Sequence, residues 1–124
     1  MELQGTLTTG LEEGSFFMSL EPYLIEIKKK LNMVPFKGTL NLKATKQEAK
    51  KFINSLKLIS ISGFKKGTKK FGYVKCYPCK IKHLPCAIII PEFTRHDLDI
   101  VEVIAEVNLR ETLNLKDGAK ITIK

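Results

Sequence analysis

The sequence predicts a mainly β domain, a small closed barrel with two or three short helices. Three observations carry this. Short alternating segments recur along the chain, at 2–8, 14–20, 38–44, 57–63, 71–82, 86–90, 99–105 and 119–123. Glycine or proline falls between most of them, at Gly10, Gly14, Gly38, Gly63, Gly67, Pro85, Pro91 and Gly118. Helical signals are few, and many short strands with few helices are best satisfied by a sheet that closes on itself. At 124 residues and 44% apolar composition, one domain spanning 1–124 with a core of its own is expected.

A helix begins near Pro22 and runs to about Leu31, with proline early where its missing N–H costs nothing. Lys28, Lys29 and Lys30 end it, where cations complement the dipole. In "GTLNLKA", residues 38–44, Leu40 and Leu42 point to the core while Thr39, Asn41 and Lys43 share the second face. That face is either a half-solvated strand surface or a site for a hard cation and phosphate, since Thr and Asn oxygens suit Mg²⁺ and lysine suits phosphate. Thr45-x-x-Glu48 is a capping box that opens a second helix. A short third helix is expected over about 106–113 from Leu109 and Leu113. In the last strand Ala119, Ile121 and Ile123 point inward.

The formal net charge of +8 implies an anionic partner, whether nucleic acid, nucleotide or phosphate. Few aromatics and no tryptophan argue against a base-stacking nucleic-acid surface. "GFKKGTKK", 63–70, has the look of a Walker motif but is one residue short and joins two strands, so it reads as a mobile basic loop. The series Cys76, Cys79, His83, Cys86 has a fair zinc spacing, but it lies in an extended segment without a glycine turn, and zinc is not expected. No apolar run approaches a membrane span and no signal peptide opens the chain, so a cytoplasmic protein is expected.

Two further segments could carry chemistry. "GLEEGSFF", 10–17, has small residues that let backbone N–H groups approach an anion, or it is a plain hairpin loop. In "DIVEVIA", 99–105, Glu102 shares a face with Ile100 and Ile104. A carboxylate between isoleucines is costly unless paired or serving a ligand, which makes it a functional candidate; an exposed edge face is the alternative. Thr94, Arg95 and His96 precede this strand, and Arg110, which follows it, could fork onto phosphate.

"GLEEGSFF", "GTLNLK", the cysteine-bearing "FGYVKCYPCKI" and "CAIIIPEFTRHDLDIVEVIAEVNLRETLNLKDG" occur together in the order and spacing of one family. Over nearly its whole length the chain resembles the archaeal CTP-dependent riboflavin kinases. The resemblance implies a six-stranded cradle-loop barrel that transfers the γ-phosphoryl of CTP to the 5′-hydroxyl of riboflavin, giving FMN and CDP. It implies Thr39 and Asn41 as Mg²⁺ ligands. It matches Leu11, Glu12, Glu13, Gly14, Ser15 and Phe16 to a nucleotide-binding loop, and Val107, Asn108, Leu109 and Arg110 to a second nucleotide segment. Thr94 and Glu102 match flavin contacts, with Glu102 also a candidate base. Lys43 is a candidate phosphate contact on the Thr39/Asn41 face. Position 12 departs from the family's alternating glycines, placing a glutamate near the phosphates. Some members carry an extra N-terminal winged-helix domain with no counterpart in these residues; a monomer is expected. The competing readings are a basic nucleic-acid-binding or regulatory barrel, and a flavin binder without catalysis.

Overall fold

A computed structural model describes residues 1–9, 16–94 and 97–124. The elements are β1 (Leu3–Thr8), α1 (Glu21–Leu31), β2 (Leu40–Lys43), α2 (Lys46–Asn54), β3 (Ile59–Ile61), β4 (Phe64–Lys66), β5 (Lys69–Phe71), β6 (Val74–Ile81), β7 (Leu84–Pro91), β8 (Ile100–Ala105), α3 (Leu109–Thr112) and β9 (Lys120–Ile123). The mainly β reading holds. The ladder, however, is one seven-stranded sheet in the order β3-β6-β7-β8-β2-β1-β9, with β4–β5 as a separate hairpin, rather than a closed ring of six strands. The chain end beyond β9 comes back onto the free edge of β6 at one place. Lys80 N–H donates to Lys124 O at 2.8 Å, and Lys124 N–H donates to Lys80 O at 2.9 Å.

The edge of β6 explains why the two ends divide it. Its first half, through Cys76, pairs with Ile59 to Ile61 of β3, and Lys80 meets the chain end. Pro78 lies between them, where its missing N–H leaves no donor exposed on the edge. Across the sheet, alternation sorts side chains into two cores. Leu7, Leu42, Val101, Val103 and Ile88 lie in one cluster with Phe52 and Ile53 of α2. Ile89, Ile104, Ala87 and Cys76 lie in the other, covered by Tyr23 and Ile27 of α1. Gly5 lets β1 lie close on β2, because a Cβ there would meet the Leu42 Cβ at 2.9 Å.

The helices follow their signals. Pro22 sits in the first turn of α1, which ends at Asn32 in the left-handed region. Thr45 Oγ1 accepts from Glu48 N–H at 3.2 Å at the start of α2.

Four expectations are corrected. Of the strand expected over 14–20, Phe16 and Phe17 are helical and a turn follows. Ser19 N–H and Oγ both donate to Phe16 O, and Phe17 packs edge-on against Tyr23 at 5.6 Å, so local bonds and ring packing outweigh alternation. The basic stretch 63–70 is a hairpin rather than a loop. Phe64 and Phe71 stack at 4.7 Å across its base, and Gly67, at φ 64, supplies the turn. The strand expected over 71–82 is broken at Gly72–Tyr73, whose backbone is used elsewhere: Gly72 O accepts from Tyr23 Oη at 2.6 Å, and Tyr73 N–H donates to Glu92. The strand expected over 86–90 is longer, because Lys82 and His83, at φ 46 and 72, turn without glycine. Pro85 lies beyond the last β7–β8 pair, Cys86 with Ala105, and so removes no ladder bond.

Candidate active site

The polar face of β2 and the lone carboxylate of β8 meet in the middle of the sheet. β2 pairs with β8 in a register that sets Asn41 opposite Glu102. Thr8 of β1 lies opposite Asn41 on one side, and Ile89 of β7 opposite Glu102 on the other. The row therefore runs from polar to apolar on one face. Asn41 is 5% exposed and Glu102 1%. Neither lies at an edge, so the readings of a half-solvated strand and an exposed edge face are both replaced. Thr39 Oγ1 donates to Glu102 Oε2 at 2.9 Å. Asn41 Oδ1 is buried and, among the described residues, accepts no hydrogen bond. An amide oxygen in that state costs about 1–3 kcal/mol unless something binds it.

Two recesses flank this cluster. One, of about 170 Å³, is lined by Thr39, Phe36, Val107, Asn108, Leu109 and Arg110. The other, of about 340 Å³, has Glu102 and Thr94 in its lining with isoleucines of β7 and β8, Ile53 of α2, and Lys46, Lys50 and Asp97. The Thr39–Glu102 hydrogen bond thus joins a residue of one recess to a residue of the other. That arrangement could serve two ligands held in neighbouring recesses, with the hydrogen-bonded pair between them.

The remaining candidates are placed as follows. Lys43 is exposed and lines a third recess with Thr6, Glu48 and Lys120, away from Thr39 although on its face. Val107, Asn108, Leu109 and Arg110 all line the smaller recess. Asn108 caps α3, its Oδ1 accepting from Glu111 N–H at 3.1 Å, while Leu109 is buried. Phe16 is half exposed, with the Lys69 ammonium 6.0 Å from its ring centre. Leu11, Glu12, Glu13, Gly14 and Ser15 lie outside the described residues, as do Arg95 and His96.

Asp117 is a neighbour of the smaller recess that the sequence did not single out. Its carboxylate accepts from Arg110 Nη2 at 2.9 Å and from Thr9 Oγ1 at 3.2 Å. The Arg110 guanidinium holds its carboxyl below the usual range, with the Thr9 hydroxyl adding to the effect. Asp117 therefore orients Arg110, and a signal was available in the Arg110-to-Asp117 charge pair closing a short helix and turn. Lys46 and Lys50, spaced i, i+4 ahead of Ile53, were likewise not singled out from the sequence.

The cysteine series is not brought together. Cys76 lies in one core, and Cys79 with Cys86 in the other, their sulfurs 3.3 Å apart across β6 and β7. His83 is exposed in the turn. Burial pushes the Cys76 thiol up to about 12, and the hydrogen bond with Cys79, then burial, pushes Cys86 up as well, so both stay protonated. These thiols act as small hydrophobes.

Comparison with known proteins fits the paired recesses. A protein named riboflavin kinase from Pyrobaculum islandicum is 41% identical over 126 residues, covering 100% of this chain and 60% of that protein. One of the same name from Methanoregula boonei is 40% identical over 124 residues, 98% of this chain and 56% of the relative. A third, from Thermoplasma acidophilum, is 38% identical over 125 residues, again 98% and 56%. The chain spans between half and two thirds of the length of these relatives. The match to a family model covers β2, β8 and both recesses, extending over residues 7–124, and on that ground the chain belongs to the CTP-dep_RFKase family, described as domain of unknown function DUF120.

Proposed function

We propose that the chain phosphorylates riboflavin at its 5′-hydroxyl with CTP as donor, giving FMN and CDP. The observation that carries this is the Thr39–Glu102 hydrogen bond at the wall shared by the two recesses. The names of the relatives support riboflavin as acceptor, and the name of the family supports CTP as donor.

In this reading the larger, apolar recess takes the flavin, with Thr94 and Glu102 in contact with it. The smaller recess takes the nucleotide, with Val107, Asn108, Leu109 and Arg110, joined by the segment Leu11, Glu12, Glu13, Gly14, Ser15 and Phe16. Thr39 and Asn41 fit Mg²⁺. The Asn41 amide oxygen is buried and, among the described residues, unsatisfied, and Thr39, which gives its proton to Glu102, keeps lone pairs for a cation. Bound there, the metal would neutralise charge on the transferring phosphoryl group. Glu102 accepts a hydrogen bond from the flavin hydroxyl and aims its oxygen at the γ-phosphorus. The new O–P bond forms as the bond to the β–γ bridging oxygen breaks, and CDP leaves. The hydroxyl proton passes toward the Glu102 carboxylate late, because a loose transition state needs little early proton removal. Lys43 is assigned an outlying role in attracting phosphate, in keeping with its separate recess. The six strands β1, β2, β6, β7, β8 and β9 are read as a barrel closed at the Lys80–Lys124 pair, with β3 as an added strand.

The test is incubation of pure protein with riboflavin, Mg²⁺ and each of the four nucleoside triphosphates, scored for FMN. FMN with CTP and little with the others is expected; no FMN with any donor overturns the reading.

A further inference from the structure

We propose that Lys50 sets flavin specificity by receiving the polar, pyrimidine edge of the isoalloxazine ring at the mouth of the larger recess. This rests on the reading of riboflavin as the acceptor.

The reacting hydroxyl must come to the wall that Thr39 and Glu102 share, so the ribityl chain points there and the ring lies among the other lining residues. Those are mainly branched apolar side chains, Ile53 of α2, Ile90 of β7, Leu98 and Ile100, which suit the faces of a flat ring. Among the described residues, the cations lining the recess come from α2: Lys46 and Lys50 lie one turn apart on the helix face that also carries Ile53. Lys46 Nζ is 3.8 Å from Asp97 Oδ2, an ion pair that spans the mouth from α2 to the segment before β8. Lys50, one turn further along, makes no ion pair among the described residues.

Chemistry then selects the orientation. The ribityl chain leaves the central ring, so either edge of the isoalloxazine can face α2. One edge carries two methyl groups. The other carries two carbonyl oxygens, and in the reduced flavin it holds the negative charge. An ammonium group at the mouth favours the second edge, and favours it more when the ring is reduced. The two carboxylates lining this recess have partners of their own, Asp97 with Lys46 and Glu102 with Thr39, so among the described residues Lys50 is the charged group left to read the ring edge.

The test compares wild type, Lys50→Met and Lys50→Arg by riboflavin fluorescence titration and by the reduction potential of bound riboflavin. Wild type should bind riboflavin and make it easier to reduce than free riboflavin. Lys50→Met should weaken binding by about fivefold, a modest effect because the site is at an exposed mouth, and should remove most of the potential shift. Lys50→Arg should keep both. Unchanged affinity and potential in Lys50→Met, with wild type binding normally, overturn this inference and leave the parent reading intact. Weaker binding with an unchanged potential also overturns it, since Lys50 then supports the recess without touching the polar edge. Failure of wild type to bind riboflavin overturns the parent reading itself.

Discussion

The polar row in the middle of the sheet and the lysine hairpin at its side make an instructive contrast. In β4–β5, Lys65 lies opposite Lys70 and Lys66 opposite Lys69, a concentration of like charge that dominates any reading of the +8 total. All four are exposed, and like charges across a strand pair in water cost only tenths of a kcal/mol, easily offset by the stacked Phe64 and Phe71. The central row carries one carboxylate, one amide and one hydroxyl, yet Asn41 and Glu102 are almost wholly buried. There the cost of an unsatisfied group rises to about 1–3 kcal/mol. Burial, more than charge count, marks where polarity is costly to the fold.

The sharpest way to break that contrast is to remove the polarity from the central row. Asn41→Leu replaces an unsatisfied oxygen with an apolar side chain of similar size, so thermal stability should be unchanged or higher. FMN formation should fall by roughly two orders of magnitude, as when a group that stabilises transition-state charge is lost. Thr39→Val should do the same to activity with the fold intact by circular dichroism. Near-normal turnover in both variants would return the row to a structural role.

Glu102→Gln is expected to be milder. The amide keeps the shape and can still meet Thr39 Oγ1, but it no longer accepts a proton. We expect kcat/KM for riboflavin to fall about tenfold, with the KM for CTP little changed. Varying each substrate separately checks this; a change confined to the CTP side would move Glu102 to the nucleotide recess.

The hairpin supplies the opposite arm. Replacing Lys65, Lys66, Lys69 and Lys70 together by glutamine should leave FMN formation within about twofold, and at low salt should leave the melting temperature equal or slightly higher. A tenfold loss of activity would show that the hairpin belongs to the site, and salt-sensitive RNA binding abolished by the same change would revive the nucleic-acid reading.

Much of this was legible in the chain. The capping box at Thr45, Pro22 at the head of α1 and the inward Ile121 and Ile123 are local signals, and each held because local bonds decide them. The pairing of Thr39 with Glu102 was not foreseen, since no pattern in β2 reveals which strand lies beside it; register across distant segments is a tertiary fact. The turn at Lys82–His83 has no glycine or asparagine to announce it, and it is imposed by the pairing of β6 with β7. The hairpin was missed because four lysines mask the Phe64–Phe71 pair, which becomes visible only when the two are counted as equidistant from Gly67-Thr68.

The smallest expected effect lies at the margin of the comparison, where a charge pair is exposed but has an assigned task. Asp117 holds Arg110 beside the smaller recess, and the guanidinium lowers its carboxyl pKa in the folded state. A carboxyl whose pKa is depressed by folding contributes stability above its unfolded value, and that contribution disappears as pH falls through the folded value. Asp117→Asn should therefore lower the melting temperature slightly at pH 7, and the difference from wild type should shrink toward zero on acidification past the ordinary carboxylate range. Added salt should shrink it too, because both partners face water. The stronger consequence should be kinetic. With Arg110 no longer oriented, the KM for CTP should rise about three- to fivefold while the KM for riboflavin stays constant, since the lost hydrogen bond only positions another side chain. A melting difference that persists at low pH would show that Asp117 acts through its shape, and an unchanged KM for CTP would remove Arg110 from the nucleotide recess.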